Sequence, residues 1–250
     1  MSSEKTEGMV IRQADFSETS RVLTLFTRDF GKISVIAKGA KRLKGPFEAA
    51  LDLLTVVNIV FIRKSSGGLD ILTEAQLRKR FTAQGKSLES VYAGYYVAEL
   101  LAALTEEYDP HPELYDEALR TLDWIAEPKL LHLAIVHFEL TLLQEIGQLP
   151  MFDACVLCGS EVGADGWYGF KSGQGVVCQT CLGHDGSQRR LSAGTLALLQ
   201  KLLADTPVWQ RLAVSPEQYR EMRLILVPAI SHPLGKRPKM LSFLKFPAPT

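Results

Sequence analysis

The chain has four cysteines in its 250 residues, and they fall as two Cys-x-x-Cys pairs, Cys155–Cys158 and Cys178–Cys181. Nineteen residues separate the pairs, inside the spacing of a four-thiolate zinc site. Each pair can grip one metal ion from a tight knuckle while the intervening segment closes the tetrahedron. Gly159 and Gly183 follow the pairs, where knuckle turns call for permissive backbone. With every ligand position filled by protein, no coordination site remains for water, so such a zinc is structural and not catalytic. Metal-assisted hydrolysis is therefore not where the function should be sought.

Other uses of the cysteines fit less well. Secreted disulfides would need an export signal, and the polar opening Met1-Ser-Ser-Glu-Lys-Thr-Glu has no apolar run behind it. A thioredoxin-like redox site wants one Cys-x-x-Cys beside a βαβ pattern, not two matched knuckles. His184 lies close to the second pair, but beside four thiolates it reads as a surface histidine. No stretch reaches the roughly 20 apolar residues of a membrane span, and a cytoplasmic protein is expected.

The formal net charge is zero, yet the charge is segregated. Residues 1–82 carry 14 Lys+Arg against 9 Asp+Glu, residues 83–154 carry 3 against 13, and residues 155–250 carry 11 against 6. A basic first segment beside an acidic middle suggests separate domains with different partners.

The hydrophobic period changes at the same boundaries. Gly8–Gln13, Val22–Thr27, Ile33–Ala37, Val56–Ile62 and Leu69–Leu77 are short apolar or alternating runs punctuated by glycine, which predicts five strands. Five strands in about 75 residues suit a small closed barrel of the OB type, with an SH3-like barrel close behind on pattern alone. From Ser87 onward apolar residues recur at helical spacing, through Tyr92–Leu104 and Leu114–Ile125. Leu130–Ile146 is apolar almost all round and predicts a buried central helix ended by Gly147 and Pro150. Beyond the knuckle, Leu191–Ala204 reads as an amphipathic helix, and Ser215-Pro-Glu-Gln is a helix start with a reciprocal cap.

A catalytic constellation is not evident. The chain has no Gly-x-x-x-x-Gly-Lys-Ser/Thr loop, no Gly-x-Ser-x-Gly elbow and no His-Glu-x-x-His. His132 and His137 fall in the buried helix, where a packing role is expected, and Glu106-Glu107 look like a solvated helix end. No enzyme activity and no catalytic residue are expected. The cations say more. Lys38, Lys41, Arg42 and Lys44 lie between glycines at a strand end, and Arg21, Arg63 and Lys64 lie at other strand ends. Arg78-Lys79-Arg80 forms a further cluster. A cationic groove combined with aromatic faces is how small barrels hold single strands. Phe26, Phe30, Phe47 and Phe61 are the aromatics in or near the strands, and several of them must fill the core. The alternative is a protein-interaction scaffold whose barrel binds no nucleic acid, and a more distant one is a metal-dependent nuclease.

Five segments in order resemble the bacterial RecO family of DNA repair and recombination proteins. Glu7-Gly-Met-Val-Ile, Glu18-Thr-Ser-Arg-Val-Leu and Gly31-Lys-Ile-Ser-Val-Ile-Ala-Lys-Gly-Ala-Lys-Arg resemble its N-terminal barrel. Phe138–Pro150, leading into Cys155-x-x-Cys158-Gly, is similar to its helix-to-zinc junction, and Leu234–Leu244 to its C-terminal signature. The resemblance implies an α+β multidomain protein: an OB-fold barrel at 1–82, a helical domain split as 83–154 and 184–250, and a four-cysteine zinc finger inserted at 155–183. It implies a non-enzymatic recombination mediator that binds single- and double-stranded DNA and anneals complementary strands. It further implies contact with the acidic C-terminal tail of single-strand-binding protein and with RecR, and help in loading RecA. The family's basic loop corresponds to Lys38, Lys41, Arg42 and Lys44, and its zinc ligands to Cys155, Cys158, Cys178 and Cys181.

Overall fold

The computed structural model describes residues 2–41, 47, 50–64, 68–83, 87–163, 165–182, 189–204 and 207–247. They form two compact units, Met1–Pro128 and Lys129–Thr250.

The first unit is built on five strands: β1 (Ser2–Asp15), β2 (Arg21–Thr27), β3 (Gly31–Ala37), β4 (Thr55–Arg63) and β5 (Asp70–Arg80). All five expected strands are present, and β1 and β5 run longer than the alternation suggested. In β3, Gly31, Ile33, Val35 and Ala37 are buried while Lys32, Ser34 and Ile36 are half-buried, the period-two pattern of a strand with one face on a core. β1 pairs antiparallel with both β2 and β4, β2 with β3, and β4 with β5. A parallel pairing of Val35, Ile36 and Ala37 with Asp70, Ile71 and Leu72 joins β3 to β5, so each strand has two neighbours in the order β1-β2-β3-β5-β4. Val10, Leu23, Leu25, Ile33, Val35 and Phe61 fill the inner face.

Two helices pack on this sheet, α1 (Leu88–Leu104) and α2 (Pro112–Ile125). Ser87 caps α1 by accepting from the Ser90 N–H, and the Lys32 ammonium closes its other end by donating to the Ala102 carbonyl at 2.9 Å and to that of Thr105. A lysine on the last carbonyls of a helix satisfies orphan acceptors and complements the helix dipole. The chain leaving α1 then returns along β3: the Tyr108 N–H donates to the Lys32 carbonyl at 2.9 Å, and the Ser34 hydroxyl donates to Glu107 at 2.8 Å. Glu107 is exposed just past the end of α1, as its sequence suggested, and it also tethers that end to β3. Gly31, at φ 63, makes the close approach possible, because a Cβ there would lie 1.9 Å from the Asp109 carbonyl oxygen.

This packing explains the charge segregation. Acidic helices lie against a basic sheet: Arg28 meets Asp116 at 2.8 Å, and Lys79 meets Asp123. Arg80 pairs with Asp52 at 3.2 Å and Arg78 stands 3.9 Å from Glu7, so the Arg78–Arg80 cluster is neutralised within its own unit. Grouped by unit, the imbalance shrinks to 16 Lys+Arg against 19 Asp+Glu in residues 1–128, and 12 against 9 in residues 129–250.

The second unit centres on α3 (Leu131–Glu145), buried as its sequence predicted, with α4 (Ala193–Leu203) and α5 (Pro216–Leu234) against it. Glu139, fully buried on α3, is paired with Arg223 of α5. Ser215 and Gln218 form the reciprocal cap of α5. A small antiparallel sheet, β6 (Trp167–Lys171), β7 (Gly175–Val177) and β8 (Arg189–Ser192), has the order β7-β6-β8. The helix expected over Leu191–Ala204 therefore begins two residues later. Leu191 pairs with Tyr168 in the sheet, and Ser192 caps α4 by accepting from the Thr195 N–H. His137 packs as expected, its Nδ1 2.7 Å from the Leu202 carbonyl oxygen. Among the described residues, no helix is long and apolar enough to cross a membrane.

Candidate nucleic-acid interface and metal-binding cluster

The strand register assembles three of the candidate cations at one end of the sheet. Asp15, the last residue of β1, lies opposite Arg21, and Arg21 lies opposite Ala37, the last residue of β3. Lys38 follows Ala37 and is exposed, and it makes no ion pair among the described residues. The turn joining β1 to β2 is closed by the Phe16 N–H donating to the Ser20 carbonyl at 3.1 Å and the Ser20 N–H donating to Ser17 Oγ at 3.1 Å. Lys41 is fastened to this turn three times. Its N–H donates to the Thr19 carbonyl at 3.1 Å, and its ammonium donates to the Ser17 carbonyl at 3.1 Å and meets the Asp15 carboxylate at 2.8 Å. The Arg21 Nε reaches the same carboxylate at 3.2 Å. The hydrogen bond from Lys41, helped by that from Arg21, holds the Asp15 carboxyl below the ordinary carboxylate range. Two cations thus share one anion, and Lys38 stands beside them.

Arg63 and Lys64 occupy a different setting. The Arg63 guanidinium lies 3.9 Å from the centroid of the Tyr108 ring, a cation–π contact. Asp70, nearly fully buried, accepts from the Tyr108 hydroxyl and, at 2.9 Å, from the Lys64 N–H. Asp70 pairs with Val35, three residues before Lys38, so this pair lies about 10 Å back along β3 from the first cluster. Arg42 and Lys44, like Gly183 and His184, lie outside the described residues. The four strand-region phenylalanines are committed to packing: Phe26 and Phe61 are fully buried, Phe47 is 5% exposed, and Phe30 packs edge-on against Phe61 at 5.4 Å. Phe16, at the β1–β2 turn, is 64% exposed.

The four cysteines converge. Their sulfurs all lie within 4.8 Å of one another, and Cys158 and Cys178 stand 3.7 Å apart. Four sulfurs at about 2.3 Å from one zinc would stand about 3.8 Å apart, so the donor set fits a tetrahedral thiolate site. The first knuckle turns through Gly159 at φ 74, whose N–H donates to the Cys155 carbonyl at 2.9 Å. The second follows directly from β7, and the Cys178 N–H donates to Cys155 Sγ at 3.3 Å. Val177 and Leu182, with Val156 and Trp167, form the small apolar floor. Burial pushes the Cys155 thiol up, but the N–H groups of Cys178, Leu157 and Cys158 outweigh it and bring the value to about 6. Cys178 is lowered, chiefly by the Cys181 N–H. Cys181, whose sulfur is hydrogen-bonded to Cys158 and Cys178, is pushed up to about 12. Among the described residues, no other cluster of three or more His, Cys, Asp or Glu brings its ligand atoms close enough to hold a metal.

The second unit also presents a groove of about 420 Å³, lined by Arg189, Arg220, Arg223 and Arg237 around Leu224 and Phe246. The sequence reading missed Asp15, which holds Arg21 and Lys41, and Tyr108, which lies against Arg63. Asp15-Phe16-Ser17 directly after an apolar strand was a turn signal, but only the register shows which cations meet there.

Residues 1–81 match the family model for the recombination protein O N terminus, and residues 85–242 the model for its C terminus. The chain belongs to the RecO family. Its similarity to the DNA repair protein RecO of Rhodopirellula baltica is 36% identity, covering 95% of this chain and 97% of that protein. The RecO protein of Anaeromyxobacter dehalogenans is 32% identical over 98% of this chain and 96% of its own length. That of Listeria monocytogenes is 33% identical, covering 79% and 76%.

Proposed function

We propose that this chain is a DNA repair and recombination mediator that binds single- and double-stranded DNA and anneals complementary strands. The observation that carries the reading is the convergence of Arg21, Lys38 and Lys41 at one end of the N-terminal sheet in a RecO-family chain. Cations fixed at strand ends bind phosphates without regard to sequence. The sheet, with its order β1-β2-β3-β5-β4, is taken as an OB-type closed barrel. Lys38, Lys41 and Arg21 contact the strand, Arg63 and Lys64 form a second patch, and Arg42 and Lys44, which the family resemblance adds to the site, lie outside the described residues.

Annealing is a problem of charge and position. Neutralising both backbones lowers the repulsion between complementary strands, so pairing proceeds without nucleotide hydrolysis and without a catalytic residue. The reading extends to loading of RecA on DNA coated by single-strand-binding protein, and to RecR as a partner. An acidic tail, such as the resemblance assigns to single-strand-binding protein, matches the charge of the groove of Arg189, Arg220 and Arg237. Cys155, Cys158, Cys178 and Cys181 would hold a zinc ion, which would supply cross-linking of the two knuckles and no reaction step. A cytoplasmic, nucleoid-associated protein follows from this role.

The test is annealing of two labelled complementary strands by the full chain without nucleotide. The expected result is a rate at least tenfold above that of the naked strands, suppressed by added salt. Absence of both binding and annealing at low salt would favour a scaffold that works through protein contacts alone.

A further inference from the structure

Base stacking by a small sheet needs an aromatic side chain whose face is open and flanked by cations. Phe26, Phe61, Phe47 and Phe30 do not meet that need, because they pack in or against the core. Phe16 does. It is 64% exposed at the start of the β1–β2 turn, next in sequence to Asp15, which holds Arg21 and Lys41. The tip is not loose. Ser17 and Ser20 cross-bond it, and Lys41 pins the Ser17 and Thr19 carbonyls from outside. A large apolar ring presented on a fixed turn beside three cations is complementary to an unpaired base and its flanking phosphates.

We infer that Phe16 stacks on an unpaired base while Arg21 and Lys41 exchange the Asp15 carboxylate for the phosphates on either side of it. The inference rests on the reading of the chain as a single-strand binder. It assigns the stacking that the strand-region phenylalanines cannot supply. A duplex keeps its bases stacked internally, so Phe16 contributes to single strands and not to double strands.

The test compares the full-length wild type with Phe16→Ala and Phe16→Trp, titrated against an oligo-dT strand, an abasic strand of equal length and a duplex. The side chain is exposed, so neither substitution removes core packing. Phe16→Ala is expected to weaken oligo-dT binding roughly 5- to 100-fold, the usual worth of one stacked base. Its duplex affinity and the salt slope of its binding should stay unchanged, and Phe16→Trp should restore oligo-dT binding. The wild type should prefer oligo-dT to the abasic strand, and Phe16→Ala should lose that preference. Wild-type binding of oligo-dT that Phe16→Ala leaves intact, or an equal loss on the abasic strand, would overturn the assignment of Phe16 while leaving the DNA-binding reading in place. Failure of the wild type to bind any of the three would overturn both.

Discussion

On the proposed reading, Asp15 sets how many charges the β1–β2 hairpin would offer to a phosphate. Its carboxylate holds Lys41 at 2.8 Å and Arg21 at 3.2 Å, so both cations are partly satisfied before any ligand arrives. The group is held below its ordinary value chiefly by the Lys41 hydrogen bond. A depressed carboxyl contributes its stabilisation above the unfolded-state value and loses it only as pH falls through the lower folded value. At neutral pH the competitor is fully charged, and mild acid does not remove it. Substitution does. Asp15→Asn is expected to raise affinity for any strand by roughly two- to fivefold, the scale of one exposed ion pair. The turn itself should persist, because Lys41 still donates to Ser17 and its N–H to Thr19. Fluorescence anisotropy at fixed salt reads the change, and an affinity equal to or below wild type would show that Asp15 does not compete. At this scale the sequence was only partly legible. Lys38, Lys41 and Arg21 stood out by composition, but their meeting on one carboxylate depends on strand register, which one-dimensional spacing does not specify.

Strands and helices were far more legible, because their periods are local. The five strand runs and the helices over Leu88–Leu104, Pro112–Ile125 and Leu131–Glu145 each carry their own repeat. The capping box at Ser215 and Gln218 states its helix start within four residues. Leu191 was misjudged because an apolar residue next to a helix fits either period; pairing with Tyr168 placed it in β8. The cysteine cluster was legible for a different reason: its spacing is the one a tetrahedral metal site would require, not a property of the backbone. Replacing Cys178 and Cys181 by serine, or stripping metal with a chelator, should abolish exchange protection across residues 155–182. It should also lower the Tm of the Lys129–Thr250 unit by roughly 5–10 °C, with little change in strand affinity. Protons compete with the metal for thiolates, so affinity for zinc falls as pH falls, and loading at neutral pH should release protons measurable by calorimetry in buffers of different ionisation enthalpy. Equal exchange protection with and without metal would contradict a structural role.

At the scale of the whole molecule, the segregated charge of the sequence proved to be largely a matter of internal pairing. The acidic helices α1 and α2 lie with the basic sheet inside Met1–Pro128, where Arg28, Lys79 and Lys32 are already engaged. What sequence composition could not separate, the structure does: Arg78, Lys79 and Arg80 each meet a carboxylate of their own, whereas Arg21 and Lys41 share that of Asp15 at the end where Lys38 is exposed. Overall positive charge is therefore not the basis of the account, since the first unit carries 16 Lys+Arg against 19 Asp+Glu. Its basis is a small set of positioned cations. The most direct measurement is the dependence of single-strand affinity on salt, compared between wild type and the Arg21→Ala, Lys38→Ala, Lys41→Ala triple variant. Each phosphate contact contributes about 0.7 to the slope of log K against log salt on a single strand, so losing three contacts should flatten the slope by about 2 and weaken binding at low salt. An unchanged slope and affinity would show that the strand, if held at all, is held elsewhere.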